Sequence, residues 1–305
     1  MGQHGHHGHE SHQLADIPGF WSAWDVNYIL LTVAVAAAYL TLFGPLRNRF
    51  ANSEPLTRRQ MGMFFTALSI FFVAKASPLH FYGMHYLFSA HMLQMSLLFF
   101  VMPPFLLGAI PPWLVRNAFQ RGWLRKLVGL LTQPLVAIIL FNFLFSMYHI
   151  PKVFDTVSAS HTMHTTYHLL LQVTALMMWW PVACPVPELK RLSPLKKIAY
   201  IFIDGAALLP ACALIIFAGT PLYEVYRDAP QIIPFLTLLD DQQLGGVLMK
   251  LIQEISYGIA LWFAFSEWYR KEKEKDKLDL ALPPRDLALS VPASSLSAGQ
   301  AGLSK

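Results

Sequence analysis

The stretch YLFSAHMLQMSLLFFVMPPFLLGAI, residues 86–110, decides how the rest of the chain is read. It runs for 25 residues without an Asp, Glu, Lys or Arg. At 1.5 Å of rise per residue such a helix is about 38 Å long, more than the roughly 30 Å of a bilayer's hydrocarbon layer. Apolar runs of similar kind lie on both sides of it, at about Asn27–Leu46, Gln60–Ala76, Lys126–Tyr148, Thr165–Cys184, Ile198–Gly219 and Gly245–Trp268. Interior prolines such as Pro103, Pro104, Pro134 and Pro210 are expected to bend their helices, which a membrane bundle tolerates when neighbours satisfy the freed backbone groups. The predicted fold is therefore all-α, a polytopic bundle of about seven transmembrane helices in the cell membrane.

Composition agrees. Of 305 residues, 55% are hydrophobic and 13% are charged, against about 25% charged in ordinary soluble domains. A charge at mid-membrane costs about 2.5–3.5 kcal/mol, so a lipid-embedded chain sheds charges. The net charge of +5 does not point to nucleic acid, because the basic residues sit in short clusters between apolar runs. Counted by alternating segments, Lys and Arg number 19 on one side and three on the other, with Lys250 inside a run. Basic loops stay in the cytoplasm. The N-terminus is thus expected outside and the C-terminus inside, and only an odd number of spans allows that. Residues 1–26 read as an extracytoplasmic His-rich arm with no basic stretch of a cleavable signal, 27–269 as the transmembrane domain, and 270–305 as a disordered cytoplasmic tail.

With the spans threaded, all twelve histidines fall outside the membrane or in its outer half. His4, His6, His7, His9 and His12 lie in the arm, where they either gather metal or are incidental. His80 and His85 precede the third span, with His91 about 9 Å deeper by helical rise. His149 ends the fourth span. His161, His164 and His168 lead into the fifth at i, i+3 and i+7, on one helical face. His91 and Met95 are i, i+4, Met92 is adjacent, and Met84 stands beside His85. Imidazole with thioether suits copper, Cu(I) above all, whereas Mg or Ca would want carboxylates. Each residue has a plainer reading too. A membrane Met is usually apolar filler, and an interfacial His is usually just hydrogen-bonded. His91 and the pair His164/His168 are the exceptions, because polar groups inside apolar spans are functional by default. Lys250 and Glu254, at i, i+4, are expected to neutralise one another. Asp204 and Glu267 are expected near cytoplasmic helix ends, facing solvent or helix termini. The run Asp240–Gln243 is expected to cap the last span, or to supply oxygen ligands.

Several blocks of the chain are also familiar as a set. Ser89–Arg116, the YHIP of Tyr148–Pro151, the HTTYHLLLQVTALMMWWPV of His164–Val182 and the DQQLGGVLM of Asp241–Met249 resemble the Bacillus-type CtaG family. Its members are multi-span assembly factors for cytochrome c oxidase. The resemblance implies a metallochaperone role in maturation of the oxidase, supplying copper to the buried site of its catalytic subunit. It implies that His91, Gln94, His149, His164, His168 and Asp241 occupy the family's motif positions. Members commonly have a second His after that Gln, where this chain has Met95. The candidate metal set is therefore His91, His149, His164, His168, Met95, Met92, His85 and Asp241.

The expected partners are a membrane subunit of a haem-copper oxidase, an unspecified copper donor and membrane lipid. Association with a second copy is left open. No catalytic nucleophile, phosphate-cradling glycine loop or NTP motif is present, so no enzyme is expected. Two other functions compete. A haem-binding membrane protein would use two facing histidines, such as His91 and His168, as axial ligands. A copper permease would need polar or sulfur groups continuing through the inner half of the bundle, which reads as sparse in them.

Overall fold

A computed structural model describes residues 19–189 and 192–281, and among these every regular element is helical. Helix α1 is Val26–Phe43. Helix α2, Arg58–Phe71, ends in a π-turn at Phe72–Ala76 and is followed by α3, Pro78–His85. The 86–110 stretch forms α4 (Phe88–Ser96), a π-turn (Leu97–Val101) and α5 (Met102–Ala109). Two short helices, α6 (Pro112–Phe119) and α7 (Gly122–Leu131), lead to α8 (Pro134–Tyr148). Then come α9 (Pro151–Ser158), α10 (His161–Ala183), α11 (Pro194–Ala207), α12 (Leu209–Ile216) and α13 (Leu238–Ala281).

Four helical units are long and apolar enough to cross a bilayer: Val26–Phe43, Phe88–Ala109, Pro194–Ile216 and Leu238–Leu278. Two further pairs, bent by 44° and 64°, raise the number to six. The remaining expected span, the fifth in chain order, is α10, which has 23 residues. It falls short in hydropathy because His161, His164, His168 and Gln172 lie along it. The outer surface carries Leu30, Val33, Phe202, Ile203, Trp262 and Phe263 exposed. A continuous apolar surface of that extent is stable in lipid and would aggregate in water, so the chain is a membrane protein.

The 86–110 unit is the hub. Of its most apolar window 61% is buried, against 6% for α1, and α2, α3, α10 and α13 all pack on it. Its prolines explain its shape. Pro103 has no N–H to give the carbonyl of Phe99 four residues back, and the indole Nε1 of Trp179 donates to that oxygen at 3.2 Å instead. Pro134 opens α8 at the 64° bend, where a missing N–H costs nothing. Close helix approach is set by glycine. A Cβ on Gly83 would lie 2.9 Å from the backbone nitrogen of His91, and one on Gly245 would lie 2.7 Å from the ring of Phe88. Gly83→Ala is therefore expected to cost about 1–3 kcal/mol through overpacking. Gly62→Ala, which meets nothing within 4 Å, should be neutral or stabilising, since alanine is the better helix former. Melting temperatures in detergent check the pair.

Three expectations need correction. Residues 270–281 do not open a disordered tail but continue α13. Acid–base pairs one turn apart support the helix there, Glu267 with Lys271 at 2.9 Å and Glu272 with Lys275 at 3.8 Å. Asp204 does not face solvent. It is 1% exposed, and its two oxygens accept from Asn142 Nδ2 at 2.6 Å and Tyr257 OH at 2.5 Å. Glu267 bridges Lys197, at 3.0 Å, to Lys271. The half of the bundle toward the basic loops is accordingly richer in polar groups than the sequence reading allowed. Lys250 and Glu254 do pair, at 2.5 Å. The His-rich arm up to residue 18 and the tail beyond 281 lie outside the described residues.

Candidate metal centre

Three of the histidines meet at the end of the bundle away from the basic loops. His91, in the first turns of α4, and His164 and His168, one turn apart on α10, each bring a ring nitrogen within 4.8 Å of the other two. All are buried, at 1%, 2% and 5% exposure. The His164 and His168 ring centroids are 4.1 Å apart, and that of His91 lies 5.7 and 5.5 Å from them. The i, i+4 spacing on α10 places two imidazoles on one face, and the Gly83 contact lets α3 press α4 into position.

Tyr148, the last residue of α8, joins the group. Its hydroxyl lies 3.1 Å from Nε2 of His91 and 3.1 Å from Nε2 of His168. The remaining nitrogens, His91 Nδ1, His168 Nδ1 and His164 Nε2, have no hydrogen-bond partner among the described residues. Buried polar atoms are normally paired. Each of the three rings thus keeps one nitrogen without a partner among the described residues, in rings that lie side by side. The walls are apolar: Phe154 meets His91 edge-on at 5.4 Å, and Phe99 lies 5.8 Å from His168.

The other candidates sit elsewhere. His149 is fully buried, but its Nδ1 is 2.7 Å from the carbonyl of Phe145, and among the described residues its Nε2 has no partner and it is not one of the three grouped histidines. His85 is exposed, with Nδ1 2.9 Å from the carbonyl of Phe81. His161 is exposed at the start of α10. Gln94 Nε2 reaches His80 Nδ1 at 3.1 Å, tying α4 to α3. Met92 and Met95 are fully buried. Met92 packs on Gly245, where a Cβ would lie 3.0 Å from its Cγ, whereas Met95 follows His91 by one helical turn.

Asp241 caps a helix, but not its own. Thr237 accepts from the backbone N–H of Asp240 and closes α13, while the Asp241 carboxylate crosses to α4. It accepts from Phe88 N at 2.6 Å, from Ser89 N at 3.3 Å and from the Ser89 hydroxyl. Those are donors that open the helix carrying His91, and Leu87 at its N-cap has no side chain to satisfy them. Asp241→Ala is expected to leave them buried and unpaired, costing about 2 kcal/mol, which thermal melts in detergent would read.

A loop closes the centre from outside. Tyr223 OH donates to the carbonyl of His149 at 2.9 Å, and Tyr226 OH to that of Gly83 at 2.6 Å. Tyr223 also stacks on Phe88 at 4.5 Å. Burial pushes both phenols above their ordinary range, so both remain donors. Neither tyrosine was singled out from the sequence, and nor was Tyr148, although it stands beside His149 in a conspicuous block. An aromatic hydroxyl ending an apolar span next to a histidine was the available signal.

A sequence-family model described as cytochrome c oxidase caa3 assembly factor (Caa3_CtaG) matches residues 37–271. Neither the curated proteins nor the solved structures give a match to the chain.

Proposed function

The chain belongs to the cytochrome c oxidase caa3 assembly factors, and from that premise we propose that it carries copper to the oxidase's catalytic subunit. The carrying observation is the group of three buried imidazoles, each with one unpartnered nitrogen. Histidine nitrogen suits copper and zinc alike. Charge separates them. The three ligands are neutral and the walls apolar, and the cost of burying an ion rises with the square of its charge. Cu(I), carrying one charge and content with three ligands, fits this site better than Zn(II) or Cu(II). Met95, buried and one helical turn after His91, is the candidate for a soft fourth donor.

Tyr148 orients the ligands. For both Nδ1 atoms to hold the metal, both Nε2 atoms must carry hydrogen, and the Tyr148 oxygen then accepts from each. Bringing the expected spans together as seven puts the histidine end outside and the basic loops in the cytoplasm of the plasma membrane. Copper would then be loaded and released on the outer side. Haem fits less well, because Tyr148, Phe154 and Phe99 fill the space around His91 and His168 that a macrocycle would need.

The test is metal analysis with a parallel optical spectrum on detergent-purified protein. About one copper per chain and no Soret band are expected. A Soret band, or a metal-free protein after copper loading, overturns the reading.

A further inference from the structure

The opposite end of the bundle, where the basic loops lie, holds a second feature. A cavity of about 370 Å³ opens between α2, α5, α10, α11 and α13, with apolar walls that include Phe100, Trp179 and Phe263. Arg59, Lys197 and Glu267 complete its lining. A neighbouring cavity of about 520 Å³ shares Arg59, Met63 and Ala183 with it and is more polar, being lined also by Glu54, Thr57 and Gln60. Both lie in the range of about 300–1,000 Å³ that holds small ligands.

The charges differ in state. Lys197 is neutralised by Glu267 at 3.0 Å, inside the apolar cavity. Arg59 stands where the two cavities join and makes no hydrogen bond or ion pair among the described residues. An exposed guanidinium with no protein partner among the described residues therefore stands between an apolar chamber and a polar one that contains a carboxylate. That order is the order of a glycerophospholipid: acyl chain, phosphate, headgroup.

We propose that a phosphatidylethanolamine molecule occupies this pair of cavities. One acyl chain fills the apolar chamber and the phosphodiester lies on Arg59, whose fork of N–H donors matches phosphate oxygens. The ethanolamine ammonium lies in the polar chamber toward Glu54. Basic pockets between membrane helices recognise lipid headgroups in this way, and the surrounding bilayer supplies the ligand. An anionic phosphatidylglycerol would meet Arg59 equally well but gains nothing from Glu54.

Native mass spectrometry of the full chain in mild detergent, titrated separately with phosphatidylethanolamine, phosphatidylglycerol and diacylglycerol, tests the proposal. One tightly held phosphatidylethanolamine per chain is expected, with diacylglycerol at least tenfold weaker for lack of the phosphate. Arg59→Gln, at an exposed position, should weaken phosphatidylethanolamine at least tenfold. Ala260→Trp, which fills the apolar chamber, should do the same from the other end of the ligand. Glu54→Gln should erase the preference over phosphatidylglycerol. Unchanged binding by both Arg59→Gln and Ala260→Trp overturns the proposal, as does diacylglycerol binding as tightly as phosphatidylethanolamine. A wild-type preference for phosphatidylglycerol overturns it too. None of these readouts involves the histidines, so the proposal stands or falls apart from copper.

Discussion

Replacing His91 and His168 together by alanine is expected to take bound copper from about one per chain to less than a tenth of that. The two side chains supply two of the three grouped nitrogens and both contacts to the Tyr148 hydroxyl. Their loss leaves His164 as the one remaining histidine of the group among buried, largely apolar neighbours, and one imidazole cannot repay the desolvation of a metal ion. Loss of a mere supporting partner commonly costs 10–100-fold in metal affinity, so removing two direct ligands should exceed a hundredfold. Elemental analysis after competition with a Cu(I) chelator reads the effect. His149→Ala is the informative comparison. That ring is equally buried but lies outside the group, with Nδ1 held at the carbonyl of Phe145, and its loss should leave copper near the wild-type level. His85→Ala, at an exposed site, should do likewise. Wild-type copper in the double variant would mean that the metal sits elsewhere.

How much of this was legible in the sequence depends on the range of the physics involved. Apolar runs report local partition into lipid, so each of the expected spans corresponds to a helical unit. The one that fails on hydropathy is α10, the helix that bears His164 and His168. The spacing of those two is likewise local, and it placed them on one face. Which third histidine joins them is not local. His91 and His149 both stand at the same end of the bundle. Only the bend at Pro134, the Gly83 contact and the back-bond of His149 to Phe145 decide that His91 turns inward to the pair and His149 does not. The sequence could suggest that Asp241 caps something, since a carboxylate beside a helix start usually does. Its target lies about 150 residues earlier in the chain, beyond any local pattern. Asp204 was misplaced for the same reason, because its partners Asn142 and Tyr257 come from two other helices.

The second large effect concerns the oxidase itself. Cells whose only copy carries His91→Ala with His168→Ala are expected to assemble a catalytic subunit with several-fold less copper than wild type. The proposed role of a carrier, rather than a store, requires an open coordination position. Three imidazoles holding one Cu(I) would leave one, so an incoming ligand from a docked partner could bind before the outgoing ones leave. The exchange then never exposes a bare ion to the membrane, where desolvation is costliest. The closing loop, held by Tyr223 and Tyr226 to the carbonyls of His149 and Gly83, would have to yield for such a transfer. Deleting the gene is the necessary companion measurement. If deletion and double substitution lower oxidase copper equally, and added copper partly restores both, the protein acts by supplying metal. If deletion abolishes the oxidase while the double variant assembles it with full copper, the protein works as a scaffold, and the imidazole group has no part in delivery.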